Sequence, residues 1–168
     1  MAVKLKFSTK FDHMKSRADA AKSLDGKKVN VGVFDGEQAW LAGIHEYGLK
    51  IEVTDKMRAF LHGQGLHLKK STTHITIPER AFLRNGFDEV HAEVVDKAGK
   101  ALPLVFNGKM SGGQFLTMVG QTLSTAIKVH AKRGSFADNH PFTADRKGTS
   151  RPLVSTGQML DHIDWQVE

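Results

Sequence analysis

The chain contains no cysteine. Disulfides and thiolate chemistry are therefore excluded, and a zinc site would lack its usual sulfur ligands. This fits a protein made in a reducing cytoplasm. Long apolar runs are missing too. Nothing approaches the roughly 20 residues that span a bilayer, so no membrane contact is expected. The opening Met1-Ala2-Val3-Lys4-Leu5-Lys6-Phe7 lacks the apolar core of a signal peptide. No internal repeat, low-complexity tract or second-domain boundary stands out. At 168 residues the chain reads as one domain, residues 1–168, large enough to bury a core.

The motifs of common chemistry are also absent. Gly63-Gln64-Gly65 lacks the third glycine and the preceding buried strand of a dinucleotide site. Gly108-Lys109-Met110-Ser111 only echoes a phosphate-binding loop. Ser155-Thr156-Gly157 has no nucleophile elbow around it. Nine histidines invite a metal, but His62, His67 and His74 are spaced by five and seven residues, which matches no helical ligand pair. His45-Glu46 opens like a metalloprotease motif, yet Leu49 stands where the second histidine belongs. Asp88-Glu89, Asp161 and Asp164 read as solvated charges on a helix face and strand ends. No enzyme activity, metal or cofactor is expected.

What is present is a basic excess, +6 formally, spread unevenly. Residues 1–28 carry eight Lys/Arg against three Asp, whereas the last eight residues carry Asp161, Asp164 and Glu168 and no Lys or Arg. Such a balance suits a polyanion nearby, DNA among the options, although it also serves solubility. There is no basic block, and few aromatics are interleaved with the cations.

Residues 1–10 alternate as a half-buried strand. A helix follows over 11–24, closed by Gly26. Residues 28–34 alternate and are rich in β-branched side chains, predicting a strand. Trp40, Leu41, Ile44 and Tyr47 predict a short helix over 38–47. A strand is expected over 51–53, then a helix over 55–62 capped by Thr54. Residues 66–71 and 72–77 suit a hairpin or an irregular excursion. From Pro78 the pattern turns helical, with Glu79 in the first turn and Phe82 or Leu83, Phe87, Val90, Val94 and Ala98 on one face. Gly86 is a weak point there. Residues 102–108 interrupt the pattern, and Ser111-Gly112-Gly113 reads as a flexible joint. A second long helix spans 114–131. Residues 133–150 read as a long loop, and the chain ends in a short helix and a strand. The fold class expected is α+β: a mixed, mainly antiparallel sheet packed on two longer helices, with a long loop and an extended excursion.

The most informative stretch is Ile77-Pro78-Glu79-Arg80-Ala81-Phe82-Leu83-Arg84. Proline ends a strand because it has no N–H for a ladder. Phe82 and Leu83 then read as packing anchors, with Trp40 and Trp165 as further anchors at corners. Arg80 and Arg84, one helical turn apart, suit a grip on carboxylates or phosphates, or a solvated face with a local ion pair.

Four stretches together resemble the phage virion-morphogenesis proteins, the tail-completion or neck group that includes the Mu-type morphogenesis family. The first runs from Val29-Asn30-Val31-Gly32-Val33 to Ala42-Gly43-Ile44-His45-Glu46-Tyr47-Gly48. The second is the stretch just quoted, close to an I-P-x-R-x-F-L-R signature; the position after Arg80 is often Pro there and is Ala81 here. The third is the helix with Leu116, Gly120 and Ala126-Ile127. The fourth is Thr143 and Lys147-Gly148, then Arg151-Pro152-Leu153-Val154-Ser155-Thr156-Gly157-Gln158-Met159-Leu160. The resemblance covers about residues 28–168.

It implies a structural virion protein rather than an enzyme. Such a subunit would act at the head–tail junction or tail end as a ring of identical copies, sixfold by implication. Its partners would be neighbouring neck, connector and tail-tube proteins, with genomic DNA passing non-specifically through the lumen. Its place would be the virion neck or tail, and the host cytoplasm during assembly. In a heterologous ring, a face bearing Arg80 or Arg84 would meet one bearing Asp161 or Asp164. The other function class open to the sequence is a small basic DNA-binding module.

Overall fold

The computed structural model describes residues 10–168, and the strand expected over residues 1–10 lies almost wholly outside them. Seven helices and four strands follow in order: α1 (Lys10–Leu24), β1 (Val29–Val33), α2 (Gly36–Tyr47), β2 (Leu49–Glu52), α3 (Asp55–Gly63), β3 (His74–Ile77), α4 (Phe82–Phe106), α5 (Gly112–Arg133), α6 (Pro141–Lys147), α7 (Gln158–Asp161) and β4 (Ile163–Val167). The fold is mixed α+β, as the alternation of periods two and 3.6 predicts.

The strands do not form one mixed sheet. They form two separate antiparallel pairs, β1 with β4 and β2 with β3. In the first, Val31 lies opposite Trp165 and Val33 opposite Ile163. In the second, Leu49 lies opposite Ile77. Of the hairpin and the irregular excursion expected over 66–77, the excursion forms. Residues 74–77 pair with β2, and the turn before them is held by Arg58, which donates to the carbonyls of Leu68, Lys69 and Thr72 at 3.3, 2.9 and 2.7 Å.

The long helices α4 and α5 pack on each other along most of their length. Gly86, near the start of α4, sits against Ile127 and His130, near the end of α5, so the pair is antiparallel. That position is a close helix crossing rather than a weak point. Phe82, Val94, Leu123, Ile127 and Ala131 form the core with Ala42, Leu153, Met159, Leu160 and Ile163. Burying the larger of these side chains, from Val to Phe, contributes about 1.5–3 kcal/mol each.

Three local expectations fail for physical reasons. The break expected at 102–108 is absent, because α4 continues through Pro103 to Phe106. Proline removes one backbone bond there, but Ala101 and Val105 on either side are buried and hold the last turns in place. The joint at 111–113 is a helix start: the Ser111 hydroxyl accepts the Gln114 N–H at 3.2 Å, and the Gln114 side chain accepts the Ser111 N–H at 2.9 Å. This is a reciprocal capping box. Residues 133–150 are not one loop either, since α6 forms inside them with Pro141 at its first position. The Thr54 cap is present, accepting the Met57 N–H at 3.2 Å. Among the described residues, no helix is long and apolar enough to cross a membrane.

Candidate functional site

Sequence places Glu46 at the end of α2 and Arg80 just before α4. The fold brings them into one junction. Gly48 makes this possible: its φ of 73° is left-handed, and a Cβ there would lie 2.9 Å from the Glu79 nitrogen and the Ile77 carbonyl. Only glycine lets the chain leaving β3 cross so closely. The Arg80 N–H donates to the His45 carbonyl at 2.9 Å, and the Ala81 N–H to the Glu46 carbonyl at 3.2 Å. The last carbonyls of α2, which have no partner inside their own helix, are satisfied in this way.

The reverse contact caps α4. Ala81, at its N-cap position, is in the left-handed region (φ 43°, ψ 39°) and has no side chain to cap with. Glu46 does so instead. Its carboxylate accepts the Leu83 N–H at 2.8 Å and the Arg84 N–H at 3.1 Å. These are the donors an N-cap side chain normally satisfies, and the negative charge meets the positive end of the helix dipole. Glu79, expected in the first turn of α4, lies just before it and accepts from Arg84 at 2.6 Å.

Arg80 and Arg84 have different fates. Arg80 is 5% exposed. Its guanidinium donates to the Ala137 carbonyl at 3.1 and 3.3 Å, to Asn139 Oδ1 at 3.2 Å and to His45 Nδ1 at 2.9 Å. Among the described residues, no carboxylate forms an ion pair with it. The expectation of a free interface cation is corrected: Arg80 is an internal strap that ties residues 137–139 to the corner. Asn139 extends the strap by donating to the Ser150 and Arg151 carbonyls at 3.4 and 3.2 Å.

Arg84 is half-exposed, its side chain 49% accessible. It donates through Nε to Glu46 Oε1 at 2.9 Å and through one terminal nitrogen to the Glu46 carbonyl at 3.0 Å. Its guanidinium lies 4.9 Å from the centre of the Tyr47 ring. Hydrogen bonds to Glu46 and then Glu79 raise its pKa further.

Asp161 and Asp164 sit elsewhere, on the α7–β4 edge. Asp161 is 3.6 Å from the Lys132 ammonium, both exposed. Asp164 accepts the neighbouring Trp165 N–H at 2.9 Å and has no cationic partner among the described residues. Of the packing anchors, Phe82 is fully buried and Leu83 packs against the core. Trp165 lies against α5, where a Cβ on Gly120 would fall 2.4 Å from its ring. Trp40 is not an anchor: it is 68% exposed, because the face of α2 turned to the core carries Ala42 and Glu46. Phe60 on α3 is likewise 62% exposed.

Beside this junction lies a half-enclosed cavity of about 240 Å³ lined by α2, the end of α6 and residues 153–159. His45 and Lys147 face it. His45 is lowered to about 4 by burial, then by the charges of Arg80 and Lys147. The Lys147 pKa is lowered by burial and then by Arg80. Sequence reasoning missed Glu46 and His45 because both looked like fragments of a metal motif. The available signal was their position, one residue before an aromatic and a glycine at a helix end. Among the described residues, no group of three His, Asp or Glu lies close enough to hold a metal. His62 and His67 do pair, Nδ1 to Nδ1 at 2.7 Å.

Searches against protein-family models, curated proteins and solved structures returned no match for this chain.

Proposed function

We propose that this protein is a structural subunit of a tailed-phage virion. It acts at the head–tail junction or tail end as a ring-forming tail-completion or connector protein, without enzymatic activity. One observation supports this reading above others. Three of the four stretches that carry the resemblance converge on one junction: residues 45–48, residues 77–84, and the segment that includes Lys147 and residues 150–153. Motifs far apart in sequence thus meet in one structural unit. That is what a rigid scaffold for subunit contacts requires, and it needs no reactive group.

Partner contacts then fall to side chains left outside the junction. Exposed side chains away from the junction, among them Asp164, Trp40 and Phe60, are available for neighbours. The ring would enclose DNA non-specifically, its basic excess offsetting passing phosphates.

The test is genetic and structural together. Deleting the gene should give heads and tails that fail to join, or tails that stay unterminated, and microscopy of wild-type virions should place the subunit in a ring at the neck. Infectious, complete virions from the deletion would overturn the reading. The DNA-binding alternative rests on the basic excess, and duplex binding with a steep salt dependence would favour it.

A further inference from the structure

Positive charge gathers at the cavity beside His45 without compensation. Arg80 lies behind the His45 ring and Lys147 beside it, close enough for each charge to act on the imidazole. A cation removed from water is normally paired. Arg80 meets only carbonyl and amide oxygens and the imidazole. Lys147, half-buried, has no hydrogen bond or ion pair among the described residues. No acid is among the residues that line the cavity; Asp161, whose carboxylate would sit 3.8 Å from a Cβ on Gly157, already faces Lys132.

The donors are set for an acceptor. Arg80 donates to His45 Nδ1, so the neutral ring carries its proton on Nε2. Ser155 and Lys147 line the same space. The rest of the wall is mixed: Leu41, Leu153 and Met159 are apolar, and Gln38, Thr156 and Gln158 are polar. Leu153 is buried with φ 62°, a left-handed conformation that bulky side chains rarely adopt. Strain of this kind collects where a site is held in shape.

We propose that this cavity binds the side-chain carboxylate of an acidic protein segment. Lys147 is the ion-pair partner, the His45 Nε2–H and Ser155 hydroxyl are hydrogen-bond donors, and Leu41, Leu153 and Met159 take the methylenes of a glutamate. A half-enclosed cavity of this size admits a side chain but not the flanked, convex backbone of duplex DNA. The aliphatic side chains of Leu41, Leu153 and Met159 favour a carboxylate on an aliphatic stem over a free phosphate ion. The inference is independent of the assembly reading, since it concerns the isolated chain.

The experiment titrates ¹⁵N-labelled full-length protein with a capped Gly-Glu-Gly peptide, its Gly-Gln-Gly counterpart, inorganic phosphate and a short DNA duplex. The glutamate peptide should shift the Lys147, Gly157 and Gln158 amides saturably, and the glutamine peptide should not. Lys147→Gln should weaken binding about tenfold or more, the scale of one charge-assisted bond. Lys147→Arg should keep most of it, and Lys56→Gln, which removes the same charge from the exposed face of α3, should change nothing. Equal shifts from both peptides, equal losses in Lys147→Gln and Lys56→Gln, or saturation of these amides by phosphate or duplex below the peptide concentration would overturn the proposal.

Discussion

The Glu46 carboxylate accepts the Leu83 backbone N–H at 2.8 Å, so α4 is capped by a side chain 37 positions earlier in the chain. The longest helix of the protein therefore starts only when α2 is in place beside it. Glu46 is 3% exposed and also receives the Arg84 N–H and Nε. Removing it leaves the partly buried Leu83 and Arg84 N–H groups at the start of α4 without their acceptor. Glu46→Ala should cost about 3 kcal/mol in urea unfolding. Glu46→Gln should cost less, because its amide oxygen still accepts one backbone N–H.

The two arginines of the junction should respond differently to charge reversal. Arg80→Glu places a second acid beside carbonyl oxygens and should prevent folding. Arg80→Ala should cost about 3 kcal/mol by stranding the Ala137 carbonyl and Asn139. Limited proteolysis should then cut between residues 134 and 140. Arg84→Glu should leave a folded, less stable chain, because Arg84 is half-exposed.

His45 should make stability depend on pH. In the unfolded chain it takes up its proton near 6.5, and in the folded chain only near 4. Between these values the unfolded state binds more protons. Stability is therefore full above about 6.5 and falls as the pH drops towards 4, by roughly 2–3 kcal/mol. Burial and the facing cations Arg80 and Lys147 are the cause. His45→Gln keeps an acceptor for Arg80 but cannot titrate, and its unfolding free energy should lose this slope.

Ala81 should be improvable by glycine. Its φ of 43° costs an L-residue about 1 kcal/mol, so Ala81→Gly should raise the denaturation midpoint correspondingly. Ala81→Pro should cost about 3 kcal/mol or more, since proline fixes φ near −65° and removes the N–H given to the Glu46 carbonyl.

Gly120 and Trp165 should behave as one unit. A methyl group on Gly120 meets the Trp165 ring, so Gly120→Ala should cost about 1–3 kcal/mol. In a Trp40→Phe background, the remaining tryptophan emission should shift to longer wavelength as the ring is displaced. Trp40→Phe itself should alter stability by less than about 0.5 kcal/mol, because that ring is exposed.

Periodicity and capping signals in the sequence determined the local elements: the helix ending at Leu24, the strand 29–33, the Thr54 cap and the apolar faces of α4 and α5. These depend on neighbours a few residues apart, and sequence order carries that information directly. It also marked residues 77–84 as a strand-to-helix corner with Phe82 as its anchor. Tertiary structure alone decided which cation stays internal, because Arg80 meets Ala137 and Asn139 only after the intervening chain has folded back. It decided that Trp40 faces out, since the angle of α2 against the core gives the inner face to Ala42 and Glu46. It also turned a metal-like His45-Glu46 pair into a helix cap and a buried neutral imidazole. Long-range hydrogen bonds and burial set those roles, and no spacing within a single segment encodes them.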